Sequence, residues 1–246
     1  MKKNFISIIM LGICQLVIGQ EFKEKSFLSF FNNPSEKVYG ISTGLIQQRI
    51  QPDGFTSTTY GLRLEPFGKG FSILFVPEIG FPQDSLKFEK HFRYKPTEVV
   101  NGLAVSGGYI SFADVNGISI SGGVQALRKV NGVSFSGYDN YAYKSNGLHL
   151  SLNASVAYHS RGALISAMNS GVVDGIGLQM AGFNDFIDFK GLQIGLWNNI
   201  DGLANSFYGV QLGLFNSTRK LRGLQLGLWN KNEKRSLPFI NWQFKG

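Results

Sequence analysis

The chain is poor in the residues from which most catalytic and metal sites are built. It has one cysteine, Cys14, and three histidines, His91, His149 and His159. One thiol excludes an internal disulfide framework. There is no cysteine cluster, no His-Glu-x-x-His and no complete Gly-x-x-x-x-Gly-Lys-Ser/Thr run, since Gly68-Lys-Gly70 is only a turn fragment. No metal, cofactor or catalytic constellation is therefore expected, and the chain is not read as an enzyme. Apolar residues at spacings of three and four, which an amphipathic helix needs, are missing from residues 99–244. No basic stripe is interleaved with stacking aromatics, which argues against a nucleic-acid partner.

What the chain has is a repeat. A glycine heads each unit, at Gly102, Gly117, Gly132, Gly147, Gly162, Gly177, Gly191, Gly209 and Gly223, in steps of 15, 15, 15, 15, 15, 14, 18 and 14 residues. A period of this size marks one supersecondary unit copied along the chain. The first residue after each glycine is apolar, from Leu103 and Ile118 to Val210 and Leu224, and so is the third, from Val105 and Ile120 to Leu212 and Leu226. The second is mostly polar or small: Ala104, Ser119, Ser134, His149, Leu164, Gln179, Gln193, Gln211 and Gln225. The fourth is always small, running from Ser106 to Gly227. This period of two predicts strands with one face in an apolar medium.

Four of the glycines follow asparagine, at Asn101, Asn116, Asn131 and Asn146. Asn-Gly is the strongest short hairpin signal, so antiparallel hairpins are expected, with Val115 opposite Ile118 and Val130 opposite Val133. The later units are near copies of one another: Gly191-Leu-Gln-Ile-Gly-Leu-Trp-Asn198, Gly209-Val-Gln-Leu-Gly-Leu-Phe-Asn216 and Gly223-Leu-Gln-Leu-Gly-Leu-Trp-Asn230. With the ending Leu237-Pro-Phe-Ile-Asn-Trp242, they make residues 99–244 resemble a family of surface-repeat proteins of Gram-negative bacteria, with Tyr39-Gly-Ile and Tyr60-Gly-Leu as looser matches. The resemblance implies an all-β envelope protein. It implies no activity, and no functional residue carries over from it.

Two closed architectures fit a strand repeat. The leading one is an antiparallel outer-membrane-type β-barrel, with the odd apolar columns facing lipid and the small polar columns facing the interior. The alternative is a parallel β-solenoid of about 15 residues per coil, with the apolar columns stacked inside. One column favours the solenoid. Phe112, Leu127, Ala142, Ala157, Val172 and Ile187 all lie ten places after their glycine. A barrel would make that position interior and polar, yet all six are apolar.

Residues 1–19 read as a secretory signal, with Lys2 and Lys3 before an apolar stretch and a cleavage position after Gly19. Cys14 lies within it, and Ile13 before it is too large for a lipidation site. Residues 20–36 form a lead-in and 37–246 a single β domain. Its early part carries strand-like segments at Val38–Gln48, Thr56–Leu64, Phe71–Val76 and Ser85–Phe92. The formal net charge is +8, with the basic residues spread over connectors such as Arg219-Lys220 and Lys234-Arg235. Solvated loop charge accounts for them; acidic envelope lipid or glycan phosphate is the sharper alternative.

These features predict an exported protein of the outer membrane or cell surface. Its role would be structural, surface-binding or passage of small solutes, with membrane lipid as partner and a protein or glycan partner open. The alternative is a surface solenoid that binds a partner or glycan. A weaker alternative is a lipid-modifying hydrolase, in which His149 would orient Ser151 and Asp139 or Asp174 would hold the imidazole. The Gln179, Gln193, Gln211 and Gln225 column reads first as an amide ladder between strands and second as the lining of a lumen or binding face. Trp197, Phe215 and Trp229 read first as packing or interface aromatics and second as a carbohydrate-stacking surface.

Overall fold

The computed structural model describes residues 25–30, 36–44, 56–66, 96, 98–108, 110–111, 113–199 and 206–244. The expected signal, the expected strands at Phe71–Val76 and Ser85–Phe92, and Phe112 lie outside these residues. The described residues are all-β. The strands are β1 (Lys25–Ser29), β2 (Lys37–Thr43), β3 (Ser57–Glu65), β4 (Glu98–Ser106), β5 (Ile110–Ser111), β6 (Ala113–Ser121), β7 (Gln125–Ser136) and β8 (Asp139–Ser151). They continue as β9 (Ala154–Ser166), β10 (Asn169–Met180), β11 (Phe183–Ile194), β12 (Trp197–Asn198), β13 (Ser206–Leu212), β14 (Phe215–Ser217), β15 (Lys220–Lys231) and β16 (Ser236–Gln243).

The arrangement is a parallel β-solenoid, which corrects the barrel expectation. Each strand from β2 to β15 pairs in parallel with its counterpart one coil on, and like positions meet. Gly102 sits opposite Gly117, Ser121 opposite Ser136, and Gln193 opposite Gln211. The column of repeat glycines extends to Gly40 and Gly61, the two looser units of the sequence. Only β16 runs antiparallel, laid against β15 as the last rung.

The Asn-Gly pairs do not make hairpins. Each repeat glycine is a bend inside a continuous coil, at φ between +127° and +154° in all eleven units. A side chain is strained there. Space excludes one as well, because a methyl on Gly147 would collide with the carbonyl oxygen of Gly132, and the same contact recurs up the column. Val115 and Ile118, expected to share a face, are buried and exposed respectively.

Three bends divide each coil into three walls. In the coil that starts at Gly147, the first wall is Gly147–Ser151, followed by a corner at 152–153. The second wall is Ala154–Ala157, and pairing with the next coil then skips Tyr158. Ser160 and Arg161 make a short third wall before Gly162. Inside and outside alternate along each wall, and the corners reset the alternation.

That reset explains the awkward column. Leu127, Ala142, Ala157 and Val172 come from the second wall and are fully buried. In the next coil, one residue shorter, Phe186 takes this place and pairs with Val172; Ile187 is only half-buried. From the third wall Val115, Val130, Phe189, Phe207 and Leu221 also point inward. Two apolar clusters result, one around Val115, Leu127 and Val130 and one around Leu164, Val172, Phe186 and Phe207.

The first wall departs from the solenoid expectation in the opposite sense. Its polar second and small fourth columns face the interior, and its apolar first and third columns face outward. The reason is occupancy. The second and third walls already fill the core with hydrocarbon, and the first wall supplies small or self-pairing polar groups at the tight approach.

Replacing Gly147 with alanine is expected to lower the unfolding free energy by roughly 2–4 kcal/mol. Asn146→Ala, at an exposed neighbouring position, should cost less than about 1.5 kcal/mol. Urea melts followed by circular dichroism measure both, and equal effects would contradict the stacked-glycine account.

Candidate binding face and groove

The inward polar columns form ladders along the solenoid axis. Gln193 Nε2 donates to Gln179 Oε1 at 2.8 Å, Gln211 to Gln193 at 2.6 Å, Gln225 to Gln211 at 2.7 Å, and Asn241 of β16 donates to Gln225 at 2.8 Å. A second ladder crosses the interior on the other side. Asn184 Nδ2 donates to Asn198 Oδ1 at 2.8 Å, Asn198 to Asn216 at 2.6 Å, and Asn216 to Asn230 at 2.7 Å. The glutamine donors point toward the N-terminal coils and the asparagine donors toward the C-terminal coils. All four glutamines of the predicted column are fully buried, so they present no surface.

His149 is also fully buried. Its Nδ1 lies 2.9 Å from Ser134 Oγ in the preceding coil, and its Nε2 has no hydrogen-bond partner. Burial lowers its pKa to about 3, so the ring is neutral at pH 7. The structure does not bring His149 together with Ser151, whose hydroxyl pairs with Ser155 at 2.8 Å. Asp139 binds Tyr141, Asn153 and the Ala154 amide, and Asp174 lies 3.2 Å from His159.

The surface is formed by two other features. One is the outer side of the first wall, where eleven coils line up apolar residues such as Ile118, Ile120, Phe135, Leu148, Leu178 and Leu212. Ile118 is 46 % and Ile120 38 % exposed although each is flanked by ladder neighbours. β16 continues the same side, placing Trp242 against Leu224 and Ile240 against Leu226. With strands about 4.8 Å apart and about 3.3 Å per residue, the face measures about 50 by 16 Å, or roughly 800 Å². The largest apolar patch on an ordinary monomer covers about 300–600 Å². Exposed aromatics mark one margin of this face: the Trp197 and Phe215 rings lie 4.7 Å apart in a tilted pair, and Trp229 follows. The other margin is the column just before the glycines. There Asn116, Asn131 and Asn146 link amide to amide, and Arg161, Lys190 and Arg222 stand exposed further along.

The second feature is a groove of about 420 Å³ on the third wall, lined by Lys129, Lys144, Asn146, His159, Arg161 and Asp174 among others. Lys129 and Lys144 are direct rung partners, as are Lys144 and His159. Tyr143 and Tyr158 stand at the corner beside it, their rings 5.3 Å apart and each edge-on to His159.

Sequence reasoning missed the groove because its residues are contiguous only after coiling. A 15-residue alignment does bring Lys129, Lys144 and His159 into one column, so the signal was present. It also missed a buried ion cluster, in which Arg63 reaches Glu65 at 2.8 Å and Glu98 at 3.0 Å within the interior. Among the described residues, no group of three or more His, Cys, Asp or Glu side chains could hold a metal ion.

The fold defines the protein as a parallel β-solenoid with an amide-laddered interior and an apolar outer wall. Comparison with known proteins finds no matching family model, no matching curated protein and no matching solved structure.

His149 gives a pH test. Between about pH 6.5 and 3 the unfolded chain takes up a proton at this ring that the folded chain refuses, so the folded state loses about 1.4 kcal/mol per pH unit as pH falls. His149→Leu is expected to remove that slope, making the variant relatively more stable at pH 4 than at pH 7. A constant difference between the two proteins across this range would show that the imidazole is not held neutral. Separately, Gln211→Leu should cost roughly 1–3 kcal/mol for each of the two amide partners it strands, measured by thermal or urea unfolding.

Proposed function

We propose that the protein is an exported surface solenoid that docks onto a lipid surface through the outer side of its first wall. The observation that carries this is the apolar face itself, a continuous run of outward Ile, Leu, Val and Phe side chains along the coils, and contiguous apolar patches of this kind mark interaction sites. Its composition suits a bilayer interface. The aliphatic columns supply buried area, the tryptophan and phenylalanine margin sits at headgroup depth, and the Arg161, Lys190 and Arg222 margin complements anionic lipid. The solenoid satisfies its backbone groups along its own axis, so it lies on the membrane and does not span it. The envelope location implied by the N-terminal sequence and by the surface-repeat resemblance agrees with this role. A hydrolase role gains no support, since His149 is sealed from solvent and faces Ser134.

Flotation with phosphatidylglycerol and phosphatidylcholine vesicles tests the proposal. The mature chain should float with both, more strongly with the anionic vesicles, and added salt should reduce the difference. The double variant Leu148→Asp with Leu212→Asp, checked for an unchanged sheet spectrum, should lose at least about tenfold in vesicle affinity. A wild-type chain that ignores vesicles and sediments as a dimer, with the variant monomeric, would overturn the proposal in favour of a second copy covering the face.

A further inference from the structure

We infer that the third-wall groove is a binding site for an anionic saccharide, a sugar carrying a phosphate or carboxylate. The inference is separate from lipid docking: the groove lies around the corner from the apolar face, and of its three cations only Arg161 also stands on that face's basic margin, so Lys144 is the variant that tells the two apart.

Three observations converge. The first is charge placed against the interest of the fold. Lys129 and Lys144 sit directly opposite each other in neighbouring rungs, and like charges in that position destabilise a sheet. Arg161 projects into the same 420 Å³ groove. Among the described residues, none of the three cations has an ion-pair partner. Nearby, by contrast, Arg128 is held by Asp114. Lys144 lies over the Tyr143 ring at 5.7 Å, and Lys129 has Asp114 as its other rung neighbour, but Arg128 holds that carboxylate; the Lys129–Lys144 repulsion is left unneutralised, and a broken local rule of this kind marks a functional site.

The second observation is an open acceptor. The external asparagine ladder runs Asn146 to Asn131 to Asn116 to Asn101, each Nδ2 donating to the previous Oδ1. It stops where Arg161 replaces asparagine, so Asn146 Oδ1 faces the groove with no donor from the described residues. A sugar hydroxyl is the donor that suits it.

The third observation selects the ligand's shape. Tyr143 and Tyr158 present half-exposed rings at the corner, giving a platform for the apolar face of a pyranose. Their rings are tilted at 35° to each other and packed edge-on to His159, and are not splayed to receive bases, unlike the aromatics of single-strand nucleic-acid grooves. Asp174, followed in its column by Asp188, closes the groove at one end with negative charge. A long polyanion passing through would be repelled there. A ligand with one or two terminal anionic groups would not, so the anion rests among Lys129, Lys144 and Arg161 while the ring lies toward the tyrosines.

Calorimetric titration of the full chain with glucose 6-phosphate, glucose and inorganic phosphate tests this. Glucose 6-phosphate should bind with one site per chain and more tightly than inorganic phosphate, and glucose should not register. Lys144→Gln and Arg161→Gln should each weaken glucose 6-phosphate about tenfold, at unchanged melting temperature. Tyr158→Ala should bring glucose 6-phosphate down to the affinity of inorganic phosphate and leave the latter alone. The Leu148→Asp with Leu212→Asp variant should keep sugar-phosphate binding even if it loses vesicles, which separates this site from the apolar face. Two sources of the ligand are distinguished by comparing vesicles that carry a phosphorylated glycolipid with the glycolipid's soluble deacylated headgroup. Read on the Leu148→Asp with Leu212→Asp variant, whose apolar face no longer docks, tighter binding of the glycolipid vesicles than of the soluble headgroup identifies a membrane glycolipid, equal binding a free saccharide, and both support the site. The inference falls if glucose 6-phosphate and inorganic phosphate bind equally, if the lysine and arginine variants bind as wild type does, or if a single-stranded DNA oligonucleotide binds more tightly than the sugar phosphate and displaces it.

Discussion

The stacking of one backbone carbonyl on the next glycine sets every other distance in this molecule. At each repeat glycine the chain turns at a φ that side chains rarely adopt, and from Gly61 onward the space beside the Cα belongs to the carbonyl of the glycine below. Without a side chain at that bend, successive coils approach at sheet spacing in strict register. Register then brings like residues together, and every interior feature follows from it. Glutamine meets glutamine, asparagine meets asparagine, and small serines line the closest approach. Such ladders need identical neighbours, as in cross-β assemblies, but here one chain supplies all the rungs.

Register also explains how a polar column can lie in a dry interior. A buried amide costs free energy unless its groups are paired. In the interior of β10 to β15 the middle rungs each give an amide hydrogen bond to one neighbour and take one from the other, while the end rungs Gln179 and Asn230 donate to backbone carbonyls and Asn184 Oδ1 has no partner among the described residues. The coils before them use smaller means, such as Ser121 bonding the Gly108 carbonyl, or His149 facing Ser134. Hydrocarbon from the second and third walls fills the rest. The first wall therefore adds little hydrocarbon inside, chiefly Ala104 and Leu164, and most of its leucines, isoleucines and valines are left for the outside.

Much of this was legible before the coordinates. The glycine period, the strand alternation and the ladder role of the glutamines all follow from residue spacing. The sense of the alternation was legible too, since the polar columns were expected inside for a closed barrel. Pairing direction was not. Asn-Gly favours positive φ at the glycine, and the glycine does have it, but a hairpin and a bent coil use the same preference. The near-constant period spoke for coiling, and so did the column containing Leu127, Ala142 and Val172, because two adjacent walls can both point inward when a corner intervenes. The missing residue in the coil after Gly177 hid Phe186 from that column. The groove escaped notice because Lys129, Lys144 and Arg161 look like separate connector charges until the coils are stacked.

The two interior amide ladders have opposite sense, the glutamines donating toward the first coils and the asparagines toward the last. Each is a row of aligned dipoles, and alone either would give the rod a positive and a negative pole, much as a helix has. Side by side and reversed, they offset. The rod can be extended by further coils without accumulating an axial field, and its ends attract neither ions nor one another on that account.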